Sequence, residues 1–226
     1  MNDSTTRASE RSWTDRVRSV YDARAGGYDL ALAAFPLVGF RAGAYRRAAV
    51  HALGLVPGQT VLDVGCGTGH NLPLLARAVG ASGRVVGIDV SEGALARARS
   101  RTRDLSQVTL VRGDAAQVAL PDADAALAAF SLSMMLDPDA VIQRLAEALR
   151  DGPSGRSARL GVLDFRIPHS WPALVQTAAF ALAEPLGETW EMARRDLRPV
   201  LAHHATLDVD RMFYAGAAYV AAGTVL

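Results

Sequence analysis

Val61-Leu62-Asp63-Val64-Gly65-Cys66-Gly67-Thr68-Gly69 is an apolar, β-branched run that empties into a loop with glycine at every second position. Such a run followed by such glycines predicts a buried parallel strand, a tight turn, and a helix starting at about Asn71 to Leu75. Without a Cβ, Gly65, Gly67 and Gly69 reach positive φ and let main-chain N–H groups and the helix N-terminus face a polar, partly anionic ligand. The loop is first of all a binding site. A dinucleotide fingerprint, G-x-G-x-x-G, needs its third glycine where this chain has His70, so the spacing is D-x-G-x-G-x-G instead.

Two acids follow at the spacing such a site requires. A second strand, Arg84 to Asp89, ends in an acid that can accept two hydrogen bonds from ribose hydroxyls, and Ser91 then caps a helix with Glu92 in its first turn. Nicotinamide enzymes use the same device, so Asp89 points to a nucleoside and not to one cofactor. A third strand, Val108 to Arg112, runs into Gly113-Asp114-Ala115-Ala116, a phrase that alone is an ordinary turn.

Taken in this order, the three phrases resemble motif I and the following nucleoside-binding segments of class I S-adenosylmethionine-dependent methyltransferases. The resemblance covers roughly Tyr21 to the end of the chain. It implies a Rossmann-like, doubly wound α/β sheet of seven strands, order 3-2-1-4-5-7-6 with the last strand antiparallel. A helical N-terminal cap and a helical insert before the final hairpin complete the fold. It also implies S-adenosylmethionine as cofactor, surrounded by Tyr28, Asp63, Gly65, Cys66, Gly67, Gly69, Asp89, Val90, Asp114, Ala115 and Phe130. Tyr28 belongs to Tyr21-Asp22-Ala23-Arg24-Ala25-Gly26-Gly27-Tyr28-Asp29, which is similar to the cap of ubiquinone-biosynthesis-type and small-molecule methyltransferases. There a tyrosine closes over the cofactor; two tyrosines seven apart on one helical face are as often core.

Composition narrows the function classes. At 226 residues and 50% hydrophobic, the chain has material for one α/β domain with a sizeable core. A net charge of +1 gives no general polyanion signal, and Arg97, Arg99, Arg101 and Arg103 read as the solvated face of one helix. Nucleic acid is not the expected partner. All 24 basic residues are arginine, which excludes Walker-type phosphate loops and Schiff-base chemistry, both of which need a lysine amine. Cys66 is the single cysteine, so no internal disulfide or cysteine-based metal cluster forms, and a cytoplasmic location is expected. The polar N-terminus lacks the apolar core of a signal peptide, and no window reaches about 18 uninterrupted apolar residues. At most peripheral membrane contact is expected, and the sequence leaves the oligomeric state open.

Along the chain, residues 1–12 are expected to be disordered and 14–55 to form cap helices. The second of these runs over Leu37 to Leu55 with Pro36 at its start and Arg46, Arg47 and His51 on its polar side. Strand four covers Ala125 to Phe130. The family often places a histidine pair or an acid just after it, whereas this chain has Ser131-Leu132-Ser133-Met134-Met135, where the methionines suit a soft pocket wall or ordinary core. A helix over Pro138 to Arg150 leads to strand five, Leu160 to Phe165. The insert, 169–205, is expected as two helices, Trp171 to Leu186 and Thr189 to His203, roofing the acceptor pocket. Its apolar weight, with Trp171, Phe180, Leu182 and Trp190, suggests a lipophilic acceptor or simply packing onto the sheet. Leu207 to Val225 reads as the closing hairpin.

The implied reaction moves a methyl group from a sulfonium to N, O or C of a small acceptor, a lipid included. The leaving group is already activated, so proximity and orientation carry the rate and no catalytic side chain is assigned. His70, His169, His203 and His204 are the candidates for a proton acceptor, but each also suits a helix start, a helix end or a loop. No H-x-x-x-H or comparable spacing occurs, so no metal is expected. Two rivals stand beside this reading. A Rossmann dehydrogenase is disfavoured by His70 and by the lack of any Tyr-x-x-x-Lys pair; a methyltransferase-like protein with a non-methylating role is not.

Overall fold

The computed structural model describes residues 39–149, 152–184 and 189–226. Tyr28 and residues 1–38 lie outside the described residues, and with them the expected tyrosine lid, the N-terminal disorder and the first cap helix.

Seven strands form one sheet: β1 (Thr60–Val64), β2 (Arg84–Asp89), β3 (Val108–Arg112), β4 (Ala125–Ala129), β5 (Arg159–Phe165), β6 (Ala205–Phe213) and β7 (Ala218–Val225). Their order is β3-β2-β1-β4-β5-β7-β6, as the resemblance implies. β3, β2, β1, β4 and β5 pair in parallel, while β7 runs antiparallel between β5 and β6. Strands buried on both faces of a parallel sheet are apolar throughout, which is why Val61 to Val64 and Ala125 to Ala129 carry no polar alternation beyond Asp63.

Successive side chains still point to opposite faces. Val61, Val85, Leu127, Leu163 and Val220 pack on one side against α1 (Ala42–Ala52), α2 (Leu72–Val79) and α3 (Glu92–Thr102). Leu62, Val86, Ala126, Val162 and Tyr219 pack on the other against α4 (Pro138–Leu149) and α7 (Arg198–His204). Local signals set the helix ends. The Ser91 hydroxyl accepts from the Ala94 N–H at 3.1 Å, and α2 stops at Gly80, whose φ of +67° continues no helix.

Three expectations need correction. The helix read over Leu37 to Leu55 begins only at Ala42, because Gly39 sits at φ +82°, outside the helical region. Arg46, read as part of its polar side, is 8% exposed and turned inward. The second insert helix is broken into α6 (Trp190–Arg194) and α7 by an extended Arg195, and Pro199, which lacks an N–H, sits where only a first helical turn accepts it. The first insert helix, α5 (Ala173–Ala183), forms as expected, although Leu174 remains 82% exposed.

Candidate active site

At the carboxyl ends of β1, β2, β3 and β4 lies a cavity of about 330 Å³, within the 300–1,000 Å³ usual for ligand sites. Gly65, Cys66, Gly67, Asp89, Val90, Asp114, Ala115 and Phe130 all line it, together with Thr68 and His70. Asp63 and Gly69 do not: Asp63 is buried within β1, and Gly69 is turned toward α3. A Cβ on Gly69 would stand 3.0 Å from that of Ala98, so this glycine lets the loop rest on α3.

The glycine loop is fixed by sterics and by side chains from elsewhere. Gly65 has φ +65°, and a Cβ there would stand 2.4 Å from the Ser131 Cβ, so the turn after β4 closes against bare backbone. Gly67 has φ +54° with open space where a Cβ would point, which leaves its backbone approachable from the cavity. The Gly67 N–H donates to Asp89 Oδ2 at 2.8 Å, and the Ser91 N–H donates to Asp89 Oδ1 at 2.9 Å. Asp89 thus ties two loops together, and each carboxylate oxygen keeps acceptor capacity for a ligand hydroxyl. From α3, Arg101 donates to the Thr68 carbonyl and, at 3.2 Å, to its hydroxyl.

Under the loop runs a buried polar chain that the sequence did not disclose. Arg46 donates to Asn71 Oδ1 at 2.9 Å, and Asn71 Nδ2 donates to Asp63 Oδ1 at 2.9 Å. Asp63 Oδ2 is buried with no hydrogen-bond partner among the described residues. Burial pushes the Asp63 carboxyl up to about 6 and the Asp89 charge adds to that, while Asn71 and the Arg46 guanidinium pull it down. The Cys66 thiol is pushed well above its ordinary value by burial and by Asp63 and Asp89, so it stays protonated and is no nucleophile. Arg46 also stands 4.9 Å from the Phe130 ring centroid and reaches the cavity wall.

Beyond Phe130, itself at φ +57°, the chain makes a tight turn with a 3₁₀ helix over Leu132–Met134. Ser131 donates its hydroxyl to the Val64 carbonyl at 2.8 Å; Ser131, Met134 and Met135 line the cavity, which fits the pocket-wall reading of the methionines. At the β3 end, the Ala116 N–H donates to Asp114 Oδ1 at 2.9 Å, and Arg144 of α4 donates to the carbonyls of Ala115 and Val118. Of the histidine candidates, only His70 lines the cavity; His169 and His203 are exposed elsewhere, and His204 Nε2 lies 3.0 Å from Asp139. No described residue of the 169–205 insert lines it either. Among the described residues no cluster of His, Cys, Asp or Glu could hold a metal, and no helix is long and apolar enough to cross a membrane.

The residues present fit S-adenosylmethionine. Two acids on adjacent strand ends face one cavity, the approachable glycine backbone stands beside them at the end of β1, and an arginine stands on the rim.

Comparison with known proteins agrees. A family model described as a methyltransferase domain matches residues 61–152. The 2-phytyl-1,4-naphtoquinone methyltransferase of Synechococcus elongatus is 36% identical over 131 residues, 56% of this chain and 54% of that protein. Aklanonic acid methyltransferase DauC of Streptomyces sp. strain C5 is 37% identical over 145 residues, covering 60% and 63% of the two chains. The chain therefore spans about half the length of the curated relatives it matches. Among solved structures, a SAM-dependent methyltransferase from Aquifex aeolicus superposes with a TM-score of 0.55 at 21% identity, over 80% of this chain and 89% of that one. The strand order, the loop and the relatives thus agree on one likeness: residues 61–152 match a methyltransferase domain, and the chain is similar to S-adenosylmethionine-dependent methyltransferases.

Proposed function

We propose that the protein transfers a methyl group from S-adenosylmethionine to N, O or C of a small, lipophilic acceptor, chiefly by proximity and orientation. The carrying observation is one cavity in which Asp89, Asp114 and the glycine loop meet an apolar wall formed by Phe130, Met134 and Met135. When bound, the sulfonium supplies a methyl group on a good leaving group. Asp89 accepts from hydroxyls of the ribose, and Asp114 accepts from the adenine amino group while the Ala115 N–H donates to the ring. Cys66, Gly65 and Gly67 line the remainder with backbone, and Arg46 offers a cation to an anionic end of a ligand. The apolar wall excludes water and holds an acceptor in place, and placement of that kind contributes up to about 7–11 kcal/mol.

The acceptor class draws support from the relatives, named for a phytyl naphthoquinone and for aklanonic acid. Phenols, amines and lipid head groups with an apolar body qualify. The reading takes the whole chain as one methyltransferase domain, cytoplasmic, with at most peripheral membrane contact and without a nucleic-acid partner. The test is calorimetry followed by mass spectrometry of a phenol, quinol and amine panel with labelled cofactor. S-adenosylmethionine or its demethylated product should bind at one site per chain, NAD should not bind, and one acceptor should gain the labelled methyl. Binding of NAD in place of the sulfonium would overturn the reading.

A further inference from the structure

A buried acid and an arginine from the insert converge behind the cavity on the turn after β4, and neither lines the cavity itself. Asp164, near the end of β5 and 2% exposed, accepts three hydrogen bonds: from the Ser133 N–H at 3.0 Å, the Ser133 hydroxyl at 3.0 Å and the Phe165 N–H at 2.9 Å. Arg195, in the link between α6 and α7, donates to the carbonyls of Ser133 at 3.2 Å and Met135 at 2.9 Å, and to Glu191 at 3.2 Å. Ser133 is 1% exposed, so its main chain and side chain are held from both sides within the protein. Asp164 and Arg195 also attract one another, and Tyr219 on β7 is Asp164's register partner. Burying a carboxylate is costly, and a protein that needed only to fill this space would do so more cheaply with an apolar residue.

We propose that Asp164 and Arg195 are positioning residues: together they brace the 131–135 turn from behind and so set where Ser131, Met134 and Met135 stand in the cavity wall. The inference rests on the methyltransferase reading of the cavity and adds a role to the insert. None of that segment's described residues lines the cavity; the segment acts on it through one guanidinium. A guanidinium reaches two carbonyls and a carboxylate at once because its donors form a fixed planar fork, which a lysine ammonium does not reproduce. Asp89 and Asp114 stand on other strand ends, and the braced turn meets the glycine loop at Val64 and Gly65 through Ser131 and Met135, so cutting the brace should disturb acceptor handling more than cofactor binding.

The test uses Asp164→Asn, Arg195→Gln and Arg195→Lys in the full chain, with hydrogen exchange, binding of S-adenosylhomocysteine and acceptor kinetics. An asparagine at 164 keeps the shape but presents one amide group to donors, and Arg195→Gln, at a partly exposed site, covers the case in which the first variant fails to fold. Exchange within residues 131–136 should rise about tenfold or more in each variant while β1 and β4 stay protected. S-adenosylhomocysteine affinity should change less than about threefold, kcat/KM for the acceptor should fall at least tenfold, and lysine at 195 should not rescue it. Unchanged exchange in the turn, or cofactor affinity falling as far as acceptor kcat/KM, would overturn the proposal. If the wild type methylates no acceptor, the functional reading fails, and the exchange measurement still decides whether the brace exists.

Discussion

Asp63→Asn separates the cost of the buried acid from its use. In the folded chain burial raises this carboxyl from its ordinary 3.8 to about 6, so the native state holds the proton more tightly than the unfolded state does. Stability contributed by the protonated group is therefore present below pH 4 and is lost as pH rises from about 4 to 6. At ~1.4 kcal/mol per tenfold, that interval amounts to about 3 kcal/mol of destabilisation at neutral pH. Asparagine removes the ionisation and keeps an oxygen for Asn71, but puts an amide donor where Oδ2 has no partner among the described residues. That second effect, about 1–3 kcal/mol, does not depend on pH. The decisive quantity is thus the change with pH of the stability difference between variant and wild type. Urea unfolding of both apo proteins between pH 4.5 and 7.5 should show the difference moving by about 2 kcal/mol in the variant's favour. Stability curves that stay parallel over this range would refute the reasoning, because they would mean that Arg46 fully offsets the burial.

Asp89→Ala should weaken S-adenosylmethionine binding at least tenfold by calorimetry, since hydrogen bonds to a carboxylate are worth ~1.5–3 kcal/mol each and the Gly67 N–H also loses its acceptor. A fall in apo melting temperature with no change in affinity would make Asp89 a structural residue only. Replacing His169, His203 or His204 by Gln should leave turnover within about threefold, because none lines the cavity. A roughly thousandfold loss in one variant, with an ionisation near pH 6 to 7 missing from its profile, would identify that histidine as a base and end the placement-only mechanism.

The sheet was legible because its signals are local. The run from Val61 to Val64, the glycines at every second position, and acids at the ends of β2 and β3 each declare themselves within ten residues, and their order carries the resemblance that implies the topology. The chain under the loop was not legible. Arg46 sits on a helix whose charged neighbours Arg47 and His51 are exposed, and nothing nearby says that it alone turns inward to Asn71 and Phe130. Asp164 falls within the strand read over Leu160 to Phe165 with nothing to single it out, and its partners Ser133 and Arg195 lie 31 residues away on either side. Pairings across such distances are set by the topology, and a single sequence gives no periodicity from which to read them. In the insert, Phe180 stacks on Trp190 at 4.1 Å, a pairing across a loop that no periodicity in the sequence marks.

The absence of lysine takes on a structural meaning once the loops are traced. Three of the rim loops that border the cavity are each tied by an arginine reaching back from a helix or link: Arg101 to the Thr68 carbonyl, Arg144 to those of Ala115 and Val118, Arg195 to those of Ser133 and Met135. Two of these bridge a pair of carbonyls, which suits a planar group with five donors and not a compact ammonium. Loops at the carboxyl end of a parallel sheet carry unpaired carbonyls where the strands stop, and an unpaired buried carbonyl costs free energy. Arginine satisfies them without adding an acceptor or a second chain of backbone. Arg101, read as part of a solvated arginine face, is therefore better understood as part of the binding loop. The cavity walls are built from turns, and the main chain of three of these is held from outside, by arginines that do not line the cavity.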